Sequence, residues 1–170
     1  ADFSGDAIWA GGGGASIERR TWDNEPIWSF TRNDSAYRLH HDIQPLPNGN
    51  VLVTAWEQRD SLECIEAGRN PANLTGAGMW SEVVWEIAPD INNEGEIVWE
   101  WAVWDHLVQD YDSSKSNYGV IADNIHKIDI NFGLALGAAA DWLHINAIDY
   151  DNFSQHIMLS VPTFNEIWIV

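Results

Sequence analysis

Six histidines are the side chains most able to do chemistry here, because an imidazole attacks electrophiles and exchanges protons near neutral pH. Two stand together in Leu39-His40-His41-Asp42, and a third closes Asp141-Trp142-Leu143-His144. Asp42 is placed to orient a neighbouring imidazole, as a carboxylate does in a catalytic pair, or to close a turn. His106, next to Asp105, reads as a site-rim residue or a helix cap, and His126 and His156 read as ordinary surface or core positions. Arg38 is one of few cations near these histidines and a candidate for drawing in an anion. Trp142 and Trp104 are candidates for stacking on a planar ring, with core packing as the competing use.

Composition narrows the partners. Twenty-six acidic against 8 basic side chains give a formal charge of −18, which opposes binding to nucleic acid or to anionic membrane surfaces, since phosphates are held by basic stripes. Eleven Trp in 170 residues exceed ordinary usage, and such large flat side chains usually fill the space between packed sheets. Cys64 is the single cysteine, so no internal disulfide forms, and no His/Cys spacing resembles a zinc site. No stretch approaches the roughly 20 apolar residues that cross a bilayer as a helix.

The elements that must carry these residues recur along the chain. Ser16–Phe30 and Glu82–Trp101 each pair an apolar strand, an Asp-containing turn and a second strand with an Ile-x-Trp or Ile-Val-Trp core, and Asn165-Glu-Ile-Trp-Ile-Val170 repeats the first strand, which predicts hairpins. Each complete hairpin is followed by a histidine segment and another hairpin. The first of these turns at Asn48-Gly49, a type I′ signal, and the second near Asn152. Four strands per unit is the arithmetic of propeller blades, with units over about 15–60 and 82–160 and the start of another at 165–170. A short helix is expected over Ser61–Ala67, capped by Ser61 and stopped by Gly68, and a second over Asp105–Asp110. The rest of the 105–140 insertion has no steady period and reads as a long loop. Gly11-Gly12-Gly13-Gly14 lacks the Lys-Ser/Thr of a phosphate loop and reads as a tight loop entering a strand.

Leu39-His40-His41-Asp42-Ile43, Leu46-Pro47-Asn48-Gly49-Asn50, Trp99-Glu100-Trp101 with Trp104-Asp105-His106-Leu107, Asp141–Asn146 and Asn165–Trp168 occur in an order that resembles the bacterial arylsulfotransferases that use no nucleotide sulfate donor. The resemblance runs over nearly the whole chain. It implies an all-β fold, a six-bladed β-propeller of four-stranded antiparallel blades of which two to two and a half are present, in a periplasmic or secreted protein. It implies transfer of a sulfuryl group from an aryl sulfate to a phenol through a histidine, with no metal, nucleotide or other cofactor. His144 falls on one active-site histidine of that family and His41 or its neighbour His40 on another; the internal repeat leaves the choice open. Arg38, Trp142 and Asn146 are the expected substrate-binding residues. The histidine that carries the sulfuryl group is expected beyond Val170.

One position departs from the family pattern. Where an arginine should follow the strand ending at Ser160, this chain has Val161-Pro162. The planar fork that would hold sulfate oxygens is missing there, so the alternative expectation is an extracellular propeller with impaired chemistry that binds or builds assemblies. Proline also suits a strand end better than a strand centre. The apolar strand at Ile167–Val170 is expected to leave an open edge, available for self-association in a partial chain.

Overall fold

The computed structural model describes residues 6–10, 16–74, 76, 78–90, 95–133 and 140–170. The glycine run at 11–14 lies outside the described residues. Among the described residues the chain is all-β apart from one α-helix and four short 3₁₀ turns. β1 (Asp6–Ala10), β2 (Ser16–Thr21) and β3 (Pro26–Thr31) form one antiparallel sheet. β4 (Tyr37–Pro45), β5 (Val51–Asp60), β6 (Gly78–Pro89) and β7 (Gly95–Ala102) form a four-stranded antiparallel meander. β8 (Leu107–Val108) and β9 (Ile128–Asp129) pair in parallel within the insertion. β10 (Ala147–Asp151), β11 (His156–Val161) and β12 (Glu166–Ile169) form a third antiparallel sheet.

The hairpins expected from the repeat are present, but the sheets are phased differently from the units in the sequence. The four-stranded sheet starts at the histidine strand β4, so the expected 15–60 unit is divided between two sheets. The reason is the alternation of side chains across a strand. Leu39, Ala55 and Val83 lie in one cross-strand row and face Ile17 and Trp28 of the first sheet in one buried cluster. Leu52 and Val84 point the opposite way and pack with Leu143, Ile145, Ile148, Ile157 and Leu159 in a second cluster. The four-stranded sheet is thus buried on both faces over β5 and β6, while β7 is largely exposed. The strand that binds it to its neighbour is β5, buried on both sides over Val51–Ala55.

Three local expectations need correction. The helix α1 (Ser61–Glu66) forms as expected, but its cap is Asp60. The Asp60 carboxylate accepts from the Leu62 and Glu63 amides at 2.8 and 2.9 Å, while Glu63 accepts from the Asp60 amide at 2.8 Å. Ser61 instead donates to the Gly76 carbonyl. Gly68 ends the helix at φ +97, where a side chain would run into Gln109. Replacing Asp60 by Ala should cost about 1 kcal/mol, the usual loss for such a cap; an unchanged denaturation midpoint would show that the cap is dispensable.

The second expected helix is a single 3₁₀ turn, Val103–His106, running directly into β8. Leu107 and Val108 are buried and pair with β9, so burial on a strand outweighs any helical preference there. The Asn48-Gly49 turn is also different. Gly49 alone takes the left-handed conformation, at φ +91, and its amide donates to Leu46 O at 3.0 Å. The turn runs from Leu46 to Gly49 with Pro47 at its first central position, where φ near −65° suits a type I turn, and Asn48 does not take the positive φ that type I′ requires.

Pro162 does sit at a strand end, opening the 3₁₀ turn Pro162–Phe164 directly after β11. No helix among the described residues is long and apolar enough to cross a membrane.

Candidate functional site

β4 does not run straight past β5. Leu39 pairs with Ala55 and Ile43 with Val53, so His40, His41 and Asp42 stand opposite Thr54 alone. A bulge of this kind re-aims a side chain and ends regular pairing. Here Thr54 pins it: its hydroxyl donates to the His40 carbonyl at 2.6 Å. His41 takes the left-handed conformation at φ +55, one that β-strand residues rarely adopt and that persists where surrounding contacts enforce it. The result separates the adjacent histidines. His40 is buried at 4 % exposure, whereas His41 points out to solvent.

His144 is delivered from the far end of the chain. Beyond Ala102 the edge of β6 has no β7 partner, and residues 140–142 take that place through Trp80 N to Ala140 O at 3.0 Å and Trp142 N to Trp80 O at 3.3 Å. Ala140 and His144 are both left-handed, at φ +55 and +56, so the segment coils between two sharp reversals. The strand that leads to the expected turn near Asn152 therefore starts only at Ala147. Trp142 anchors the coil: it is fully buried and its indole N–H donates to Phe132 O at 2.9 Å. The buried Arg69 guanidinium lies over its ring and donates to the carbonyls of Ile130 and Gly133, tying the insertion to this segment.

These two distortions bring His41 and His144 together. Their Nε2 atoms are 3.0 Å apart. His144 Nδ1 lies 2.5 Å from Asp141 Oδ2, and a carboxylate there fixes the Nδ1–H tautomer, as an orienting Asp does in a catalytic triad. The two facing Nε2 atoms then share one proton, with His41 as donor when both rings are neutral and His144 as donor when it is an imidazolium. Burial holds His41 below the usual histidine range, the neighbouring charges of His40 and His144 lower it further, and Asp141 and Asp42 act the other way.

Behind this pair lies a second one. His40 Nε2 is 2.6 Å from Glu82 Oε2, and both side chains are almost or wholly withdrawn from solvent. Burial pushes His40 down to about 3 and raises Glu82 well above the carboxylate range. The pair is therefore neutral overall, with one proton between the two groups. Trp56 stacks on His40 at 4.2 Å between centroids and reaches to 6.5 Å from His41 and 6.3 Å from His144. Arg38 lies exposed over Trp80, which in turn contacts Trp56. His40 Nδ1, Trp56 Nε1 and Asp141 Oδ1 are buried without a hydrogen-bond partner, a pattern that in native proteins usually has a functional or strain-related cause.

The expected residues divide clearly. His41, His144 and Arg38 share one aromatic-walled face with His40 beneath it. Asn146 is exposed two residues beyond His144, its amide donating to Ser160 O. Trp142 is a correction: a fully buried indole offers no face to a ligand. Trp104 is covered by the Arg59 guanidinium, and His106 stacks on Trp101 at 5.1 Å, away from the pair. Asp42 closes the bulge and reaches across, accepting from Ile43 N at 2.9 Å and Ile148 N at 3.1 Å. His126 and His156 are exposed.

Sequence reasoning missed Glu82 and Trp56. The signal for Glu82 was present: a lone carboxylate inside Met79-Trp80-Ser81-Glu82-Val83-Val84-Trp85, a run otherwise fit for burial, and unpaired carboxylates are almost never buried. Two cavities, of about 870 and 720 Å³, open elsewhere, the first walled by Trp101, Phe132, Phe164 and Trp168 and the second by Leu46, Trp99 and Tyr150. Neither borders His41 or His144, which stand on an open face. Among the described residues no group of three or more His, Cys, Asp or Glu is arranged to hold a metal ion.

The family model for arylsulfotransferase (ASST) matches residues 25–167. The chain belongs to the arylsulfotransferase family. No curated protein matches it. The matched span takes in both histidine segments, Glu82 and Asp141, so every group of the site lies within the arylsulfotransferase region.

Proposed function

We propose that the His41–His144 pair serves sulfuryl transfer from an aryl sulfate to a phenolic acceptor, without a nucleotide donor, in a periplasmic or secreted protein whose packed sheets are blades of a propeller. The observation that carries this reading is the 3.0 Å contact between the two Nε2 atoms with Asp141 behind one of them. A proton shared there is a charge-assisted donor for a sulfuryl oxygen as negative charge gathers on it. In the first half-reaction the S–O bond to the aryl group breaks, the phenolate leaves, and a histidine nitrogen of the family pattern outside this chain's motifs takes the sulfuryl group. In the second, an acceptor phenol oxygen attacks sulfur, the N–S bond breaks, and the phenolic proton passes to a base.

Arg38 and Asn146 are assigned to the substrate's polar groups, Arg38 because it is an exposed cation beside the aromatic wall of the pair. Trp56 and Trp80 replace Trp142 as the aromatic surface. The test uses the full-length protein with 4-nitrophenyl sulfate. Coloured nitrophenol should appear rapidly only when a phenol is added, in step with sulfated phenol. Absence of transfer with several aryl sulfate donors, in a folded preparation, would remove this function.

A further inference from the structure

The two histidine-bearing segments are 103 residues apart in sequence, and neither is regular. A spacing of 3.0 Å between ring nitrogens therefore needs a physical connection between the β4 bulge and the 140–146 coil. One side chain supplies it from inside the protein. Glu82, on β6, is fully buried; its Oε2 meets His40 Nε2 at 2.6 Å and its Oε1 accepts from the Ile145 amide at 3.0 Å. His40 and Ile145 are the immediate chain neighbours of His41 and His144. β6 itself lies in the middle of the meander, paired with β5 over ten consecutive positions, Val51–Asp60 against Ile87–Gly78, so the carboxylate is fixed on a rigid element.

Cost decides whether such a contact is incidental. A buried carboxylic group that only filled space would be less stable there than Val or Leu, since its desolvation is hardly offset by pairing. Glu82 is followed by Val83, Val84 and Trp85 on a strand suited to apolar residues, and both of its oxygens are used. We propose that Glu82 is the positioning residue of the site, a two-handed clamp that sets the His41–His144 contact by holding the residue next to each histidine. It touches no substrate. This inference rests on the reading of the His41–His144 pair as the working site.

The clamp makes a prediction that ordinary structural support does not. In the full-length protein, ring-nitrogen NMR of His41 and His144 should show one shared proton and two separated titration steps. The groups facing the pair are His40, Asp42 and Glu82 from within and Asp141 alongside, with Arg38 at the aromatic wall. Glu82→Gln keeps an oxygen for Ile145 N and an amide donor for His40, so the separated steps should survive and turnover should stay within about tenfold of the parent. Glu82→Leu keeps bulk but neither hand; the two rings should titrate independently and turnover should fall at least about a hundredfold, a loss in the range of one acid–base group.

Should Glu82→Leu fail to fold, the double variant Glu82→Leu/His40→Phe removes both partners of the buried pair together, which proteins tolerate far better than removal of one. It should likewise lose the coupled titration. Coupled titration persisting in either folded Leu-containing variant would overturn the clamp, as would its loss in Glu82→Gln. Because the NMR readout does not depend on turnover, an absence of sulfuryl transfer in the parent would count against the function and leave the clamp to be judged separately.

Discussion

Replacing His144 by Ala should lower the rate of sulfuryl transfer by about 10²- to 10⁴-fold, the contribution of a positioned proton-transfer group, or about 3–5 kcal/mol of transition-state stabilisation. The ring is about one-third exposed and its polar contacts are Asp141 and His41, so its removal costs little packing but leaves the buried Asp141 carboxylate without its partner; the melting temperature should fall, and rates are compared where both proteins are folded. Asp141→Asn should reproduce part of the loss with the ring still in place, because an amide no longer dictates which nitrogen of His144 carries the proton. The measurement is kcat and kcat/KM for 4-nitrophenyl sulfate at fixed acceptor concentration. A His144→Ala protein that turns over within about threefold of the parent would end the assignment of this residue to the chemistry.

Stability should climb from about pH 3 to 4.5 and then level off, because the two buried groups oppose one another above 4.5. His40 has a folded value depressed from 6.5 to about 3; its contribution is fully present above 6.5 and is lost as pH falls toward 3, because the unfolded chain then binds the extra proton. Glu82 has a folded value raised from 4.5; its contribution is fully present below 4.5 and is lost as pH rises toward the folded value. Above 4.5 the two slopes have opposite sign and cancel while both groups titrate. Below 4.5 the histidine acts alone, at about 1.4 kcal/mol per pH unit, which amounts to about 2 kcal/mol by pH 3. Thermal denaturation across this range checks both, and Glu82→Gln should remove the levelling, so that stability climbs from pH 3 to 6.5. A parent protein whose stability climbs as steeply from pH 4.5 to 6.5 as it does below 4.5 would contradict the buried neutral pair.

Much of this was legible in the residues. Alternating apolar strands, Trp-rich repeats and turn signals specified an all-β chain and the strands of each hairpin, because period-two burial is a local property of sequence. Ordered motifs pointed to the arylsulfotransferase family and to His144 and the His40–His41 pair. Pro162 announced a strand end because a ring without an amide hydrogen cannot continue a ladder.

Other features were decided only by the tertiary structure. Which of two adjacent histidines faces outward depends on a bulge, and the bulge exists because three residues of β4 must be fitted against Thr54 of β5, a count that neither strand contains alone. Which sheets pack together depends on both faces of β5 finding apolar partners at once. The fate of Trp142 depended on the insertion folding back over it through Arg69 and Phe132. Glu82 shows the limit most plainly. Its charge within an apolar strand marked it as unusual, but its meaning lies in two contacts, to residues 42 positions before it and 63 after it, and long-range hydrogen bonds have no signature in local sequence.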